Sequence, residues 1–175
     1  MSTKLKSLIA LLVVASIAAA VFWWVHNAPR RDSLASLARL DSALHSSSRA
    51  DLLDLIVIPA AVQGRTAPEQ SEFLVKALND EVSPEGLAVL RKQGHYGPLR
   101  KLFPAEAETW ARQAGVNPDE CVAFKLERQG LRAEVVLLKS STLNSQLSTP
   151  EAPYRIVRIN NVKQMADINL FATEK

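Results

Sequence analysis

The run "SLIALLVVASIAAAVFWWV", Ser7 to Val25, contains no charged residue. As a helix at 1.5 Å per residue it spans roughly 29 Å, about the hydrocarbon thickness of a bilayer. It has no polar face of the kind a surface helix shows a globular core. Ser7 and Ser16 can return their hydroxyls to the helix backbone. Trp23 and Trp24 stand at the far end, where an amphipathic indole favours the headgroup region. His26, Asn27, Pro29, Arg30 and Arg31 then mark an exit to water.

The sequence therefore predicts a short tail over 1–6 and a transmembrane anchor over 7–27. Trp23, Trp24, Arg30 and Arg31 form its membrane-interface set, and the lipid bilayer is its first partner. A signal peptidase could cut after Ala18–Ala20, whose small residues satisfy the usual pattern. That cut would leave "VFWWV" as an exposed apolar start, a poor beginning for a soluble domain, so the uncut anchor is preferred. The short tail with Lys4 and Lys6 favours the cytoplasmic side. The long remainder is then expected outside, in a periplasm-like compartment.

The formal net charge is +3, and Lys4 and Lys6 supply two of those charges before the apolar run. The remainder is almost balanced, so a pI of about 9.2 is no nucleic-acid signal. The lone cysteine, Cys121, rules out an internal disulfide framework. It opens an apolar alternation and reads as a buried free thiol.

Residues 28–47 read as a juxtamembrane helix or linker, with Asp32 or Ser33 as a cap and Leu34, Leu37, Leu40 or Asp41, and Leu44 along one side. "HSSS", 45–48, weakens helix propensity and ends it, and His45 there reads as exposed. The α+β domain is expected over 48–175. Ser48 with Asp51 resembles a capping box before Leu52, Leu53, Leu55 and Ile56, a helix stopped by Pro59. Thr66 with Glu69 forms a second capping box, before Phe73, Leu74, Ala77 and Leu78. Ser83-Pro84-Glu85 starts another helix, closed at Gly94. A further helix has Pro104 in its first turn and a Gly115-Val116 closure. Glu69, Glu72, Asp80, Glu81 and Glu85 sit near helix starts or outside the apolar stripes. The helix field and solvent account for them better than a catalytic carboxylate pair does.

Between Gly94 and Gly97 stand His95 and Tyr96, followed by Pro98. This stretch reads as a loop able to hold a general base, since histidine titrates near neutrality. His95, Tyr96 and Trp110 are the candidate lining of a ligand pocket, with Trp110 also on the apolar face of its helix. No nucleophile motif accompanies them, and His26 and His45 lie in unrelated contexts. No metal site, cofactor or catalytic residue is therefore assigned.

"CVAFKLERQGLRAEVVLLK" is the strongest fold signal. With Gln129-Gly130 as a two-residue turn, Leu126 faces Ala133, Phe124 faces Val135 and Val122 faces Leu137, making one apolar surface. On the other side Glu127 meets Arg132 and Lys125 meets Glu134, both opposite in sign. A one-residue slip would break both patterns. After a polar connector over 141–153, "YRIVRINNV" reads as a third strand. Tyr154 and Ile156 fall on one side, Val157 and Ile159 on the other, and Arg155 and Arg158 on opposite faces. The tail from Val162 reads as either a short strand or a surface helix.

This order specifies an α+β fold: one transmembrane helix, then several short helices packed on one face of an antiparallel sheet. It resembles, in element order alone, the helix-first cone of cystatin-like and NTF2-like domains. The function expected is a membrane-anchored extracytoplasmic interaction or accessory domain of an envelope complex. Its partner would be a protein or a second copy, not nucleic acid. The alternative is a tethered small-ligand binder or modest hydrolase with a pocket near His95.

Overall fold

The computed structural model describes residues 3–59, 62–140 and 153–171. Two compact units are distinguished, Met1–Asp32 and Ser33–Lys175. Most of the expected connector over 141–153, and the last four residues, lie outside the described residues.

Helix α1 runs without interruption from Thr3 to Ser46 and contains Pro29. The expected helix start at Asp32 or Ser33 does not occur. Neither residue caps anything, because the backbone is already helical there, and Ser33 and Ser36 are fully buried within the helix. In the first unit the apolar side chains from Leu11 to Val25 stand exposed. An 18-residue window of mean hydropathy 1.7 makes this the described helix long and apolar enough to cross a membrane. Ser16 Oγ donates to Leu12 O at 2.8 Å, and Asn27 Nδ2 donates to Trp23 O at 2.8 Å. The guanidinium of Arg31 lies 3.9 Å over the Trp24 ring.

In the second unit the remainder of α1 stops where the serines predict. Ser47 adopts φ 51° and Ser48 caps α2 (Arg49–Leu55), its Oγ accepting from Asp51 N. Helix α2 ends at Leu55 rather than at Pro59. The β-branched run Ile56-Val57-Ile58 favours extended backbone, and Val57 N donates to Ile156 O at 2.8 Å. Helix α3 (Ala67–Glu81) begins at the Thr66–Glu69 box: the Glu69 carboxylate accepts from both the Thr66 N–H and its hydroxyl at 2.8 Å. Those bonds, the hydroxyl first, hold the Glu69 carboxyl below its ordinary pKa. Helix α4 (Pro84–Gln93) is capped by Ser83 Oγ, which accepts from Gly86 N at 3.0 Å. Gly86 sits so close to the chain after the last strand that a Cβ would overlap the Val162 carbonyl oxygen.

His95–Pro98 is a strand, β1, and not a loop. It runs antiparallel to β2 (Cys121–Arg128), pairing His95 with Lys125 and Tyr96 with Phe124. Proline and glycine are tolerated there because β1 is a sheet edge. Two short helices follow it, α5 (Leu99–Leu102) and α6 (Ala107–Ala114). Gly115 closes α6 at φ 69°, with Val116 N donating to Ala111 O at 2.9 Å.

The β2–β3 hairpin has the expected register at every position, from Arg128 opposite Leu131 to Cys121 opposite Leu138 (β3, Leu131–Lys139). Gln129 and Gly130 turn with φ of 50° and 81°, the doubly positive geometry that matches strand twist. Strand β4 (Tyr154–Asn160) completes an open four-stranded sheet, ordered β1-β2-β3-β4. The register shifts between Val136 and Leu137, so Val157 is an extra residue. This bulge overturns the uniform alternation expected of β4. Arg155 lies opposite Leu138 and Arg158 opposite Val136, two positions of one face. Helix α7 (Gln164–Phe171) resolves the tail as helical.

The cone-like expectation is overturned, because the sheet is not closed. Four strands are too few to curl into a barrel, and both of their faces are filled by helix side chains. Leu37, Leu40, Leu55, Leu87 and Leu90 pack with Phe124, Val135 and Leu137 on one face. Leu99, Phe103 and Trp110 pack with Ala123, Val136 and Leu138 on the other. The helices thus cover two faces rather than one. Cys121, buried in this second cluster, is a free thiol whose pKa burial pushes up to about 11.

Candidate functional site

The three residues singled out from the sequence do not share a pocket. Tyr96 leans against Phe124, ring centroids 5.1 Å apart, on the α1–α4 side of the sheet. Trp110 packs against Phe103 at 4.9 Å on the opposite side. His95, at the start of the edge strand, is exposed beside an open cavity of about 480 Å³ with Lys101, Lys125 and Glu127. Residues of opposite sheet faces cannot converge on one ligand atom, so Tyr96 and Trp110 do not line one site, and the cavity beside His95 is bounded by other residues. Among the described residues, no group of three or more His, Cys, Asp or Glu side chains could hold a metal ion.

The structure instead builds a charged cluster around Glu134, which is fully buried. Its Oε1 accepts from Arg158 Nε at 3.0 Å. Its Oε2 stands 3.1 Å from Arg132 Nε as an ion pair, without the alignment of a hydrogen bond. Arg132 Nη1 also donates to Glu106 Oε1 at 3.0 Å. That bond, aided by the nearby carboxylates of Glu134 and Glu127, raises the Arg132 pKa further above its usual range. Aromatic faces support the cations: Arg158 lies 4.7 Å over Trp110, and Arg132 lies 5.4 Å over Phe103. Each of these carboxylate–guanidinium contacts is charge-assisted, which is what makes burial of Glu134 tolerable.

The cross-strand partners expected on this face do stand opposite one another, but their charges pair differently. Lys125 Nζ reaches along its own strand to Glu127 at 3.0 Å, while Arg132 turns to Glu106 and Glu134. Sequence alone missed Glu134 because alternating charges on a hairpin read as a solvated face. The available signal was the pair of aromatic residues before the hairpin, Phe103 directly after α5 and Trp110 within α6.

Arg158 also belongs to the second edge of the sheet. Beyond the single parallel bridge from Ile56 to Ile156, no strand pairs with the outer side of β4 among the described residues. Two clefts of about 180 Å³ each flank that edge. The first lies against α3 and is lined by Phe73, Leu74, Ala77, Ile156 and Ile159. The second lies against α6 and includes Trp110, Gln113, Val157 and Arg158. Pro59, Val157 and Arg158 line both clefts. An open strand edge with a groove on either side is a surface suited to recognising another polypeptide. Neither a protein-family model, nor a curated protein, nor a solved structure matches the chain significantly.

Proposed function

We propose that this chain is a membrane-tethered interaction domain. Its N-terminal helix crosses the bilayer, and its α+β unit works outside the cytoplasm as an accessory part of an envelope complex. The observation that carries the reading is the row of exposed apolar side chains from Leu11 through Phe22, Trp23, Trp24 and Val25. Such a contiguous apolar surface is costly in water and marks a membrane or protein contact. The Trp24–Arg31 stack adds a reason to choose the bilayer, because an indole and a guanidinium both suit the interfacial layer. Tyr96 and Trp110 lie on opposite faces of the sheet, so they add no shared pocket in favour of the small-ligand or hydrolase reading.

The test is intact-mass analysis of protein extracted from membranes, combined with salt and alkaline washing. Retention of residues 18–25 in a species that resists both washes is the expected result. A mature chain starting near Val21 and released by high salt would overturn the tether.

A further inference from the structure

We propose that the outer edge of β4 captures an extended segment of a partner protein by strand addition, one whose side chains alternate between apolar and acidic. The inference rests on the interaction-domain reading and names the chemistry of the partner.

The occupant's conformation follows from the two clefts. Consecutive side chains of a strand point to opposite faces of its sheet. A strand laid beside Val157–Asn160 would therefore send its residues alternately toward α3 and toward α6, where the two clefts lie. A helix is about 10 Å wide and would present one face to one cleft, so it could not use both. The chain itself begins such pairing: Val57 N donates to Ile156 O, and the bridge from Ile56 to Ile156 is parallel. Pro59, which has no N–H to offer a ladder, then lines both clefts.

The occupant's chemistry follows from how the clefts differ. The α3 cleft is lined mainly by apolar side chains such as Phe73, Leu74, Ala77 and Ile159. Of its two charged residues, Glu81 accepts from Asn161 N and Arg158 pairs with Glu134, while Phe73 is 38% exposed with no core role to satisfy. The cleft suits apolar side chains. Arg158 lines both clefts, but its guanidinium lies over the Trp110 ring, so with Gln113 it gives the α6 cleft a cationic wall. Glu134 is shared between two guanidinium groups, and of these Arg132 has Glu106 in addition. Arg158 is thus the less compensated cation. Its side chain is 38% exposed, and Nε alone is committed to Glu134, which leaves donors for an incoming carboxylate.

The probe is an acetylated, amidated octapeptide alternating valine with glutamate, titrated into the full chain in detergent micelles and read by hydrogen exchange. Exchange over residues 157–160 should slow as the site fills. A valine–lysine octapeptide should bind at least about tenfold more weakly, as expected when a complementary charge is reversed. Phe73→Gln should weaken the valine–glutamate peptide by about tenfold, the scale of a lost apolar anchor. Gln113→Glu, on the exposed side of α6, should weaken it severalfold and more so at low salt. Both positions are surface sites, and unchanged circular dichroism confirms that the variants fold.

Unaltered exchange at 157–160 under saturating peptide would overturn the proposal, as would equal binding of the two peptides. Protection that appears without peptide and grows with protein concentration would assign the edge to a second copy instead, and would also overturn it. None of these results bears on whether residues 18–25 remain in the membrane, so failure here and failure of the tether are separate outcomes.

Discussion

Cys121 shows what burial does to one titratable group. Its Sγ donates toward Asn117 O at 3.4 Å, and removal from water raises its pKa to about 11 from an ordinary 9.0. The folded state therefore holds the thiol proton more tightly than the unfolded chain does. This contribution to stability is complete below about pH 9 and is lost as pH rises toward 11, because the unfolded chain ionises first. Denaturant unfolding of the wild type and of Cys121→Ala should diverge over that window, the wild type losing stability with the steeper slope. A parallel pH dependence of the two proteins would refute the assignment. At pH 8 the native thiol should also resist a disulfide reagent that labels the urea-unfolded chain within minutes. Glu134 differs in being a fully buried carboxylate paired with two arginines. Its neighbours Arg132 and Arg158 keep over a third of their side chains in water, so the cluster presents cations outward.

Helix α4 offers the clearest prediction at the level of the element. An alanine in a helix is normally more stable than a glycine by about 1 kcal/mol. At Gly86, however, a Cβ would overlap the Val162 carbonyl oxygen and stand 2.8 Å from the carbonyl carbon. Backbone atoms cannot rotate away, and overpacking of this kind costs about 1–3 kcal/mol. Gly86→Ala should therefore lower the unfolding midpoint of the full chain in detergent rather than raise it, and an increase would show that the two segments separate easily. Which elements were legible in the sequence follows a similar division between local and distant causes. The hairpin was readable because its turn, its apolar face and its charge pattern all lie within about twenty residues. The Thr66–Glu69 and Ser83 starts were readable because a cap is satisfied within one helical turn. Strand β1 was not, since "HYGP" has no alternation and becomes a strand only because β2 offers it an edge. The β4 bulge was equally hidden, because it depends on pairing with β3. For the candidate site, Trp110 and Arg158 were visible as residues. Their stacking, and the sharing of Glu134, required strands and a helix that are distant in sequence.

On the scale of the whole molecule, the compact unit begins at Ser33, before α1 ends. Leu37 and Leu40 are fully buried in the core shared with the sheet, and the Ser36 hydroxyl accepts from Tyr154 N at 3.2 Å. Burying a leucine side chain is worth about 1.5–3 kcal/mol, and a domain of this size is stable by only about 5–15 kcal/mol. A fragment spanning 33–175 should therefore keep a dispersed amide NMR spectrum, while 48–175 should collapse to a poorly dispersed one. Equal dispersion in the two fragments would show that the last turns of α1 are dispensable.

The bulge at Val157 divides β4 into two halves of opposite parity. Tyr154 and Ile156 reach the α1–α4 side of the sheet by even spacing, and Ile159 rejoins them there only because of the additional residue. A substitution at Ile156 or Ile159 changes a volume. Loss of Val157 would change which side of the sheet half the strand belongs to, turning either Tyr154 and Ile156 or Ile159 out of the core. Over evolutionary time this segment should therefore tolerate exchanges among apolar residues far better than a change of length by one.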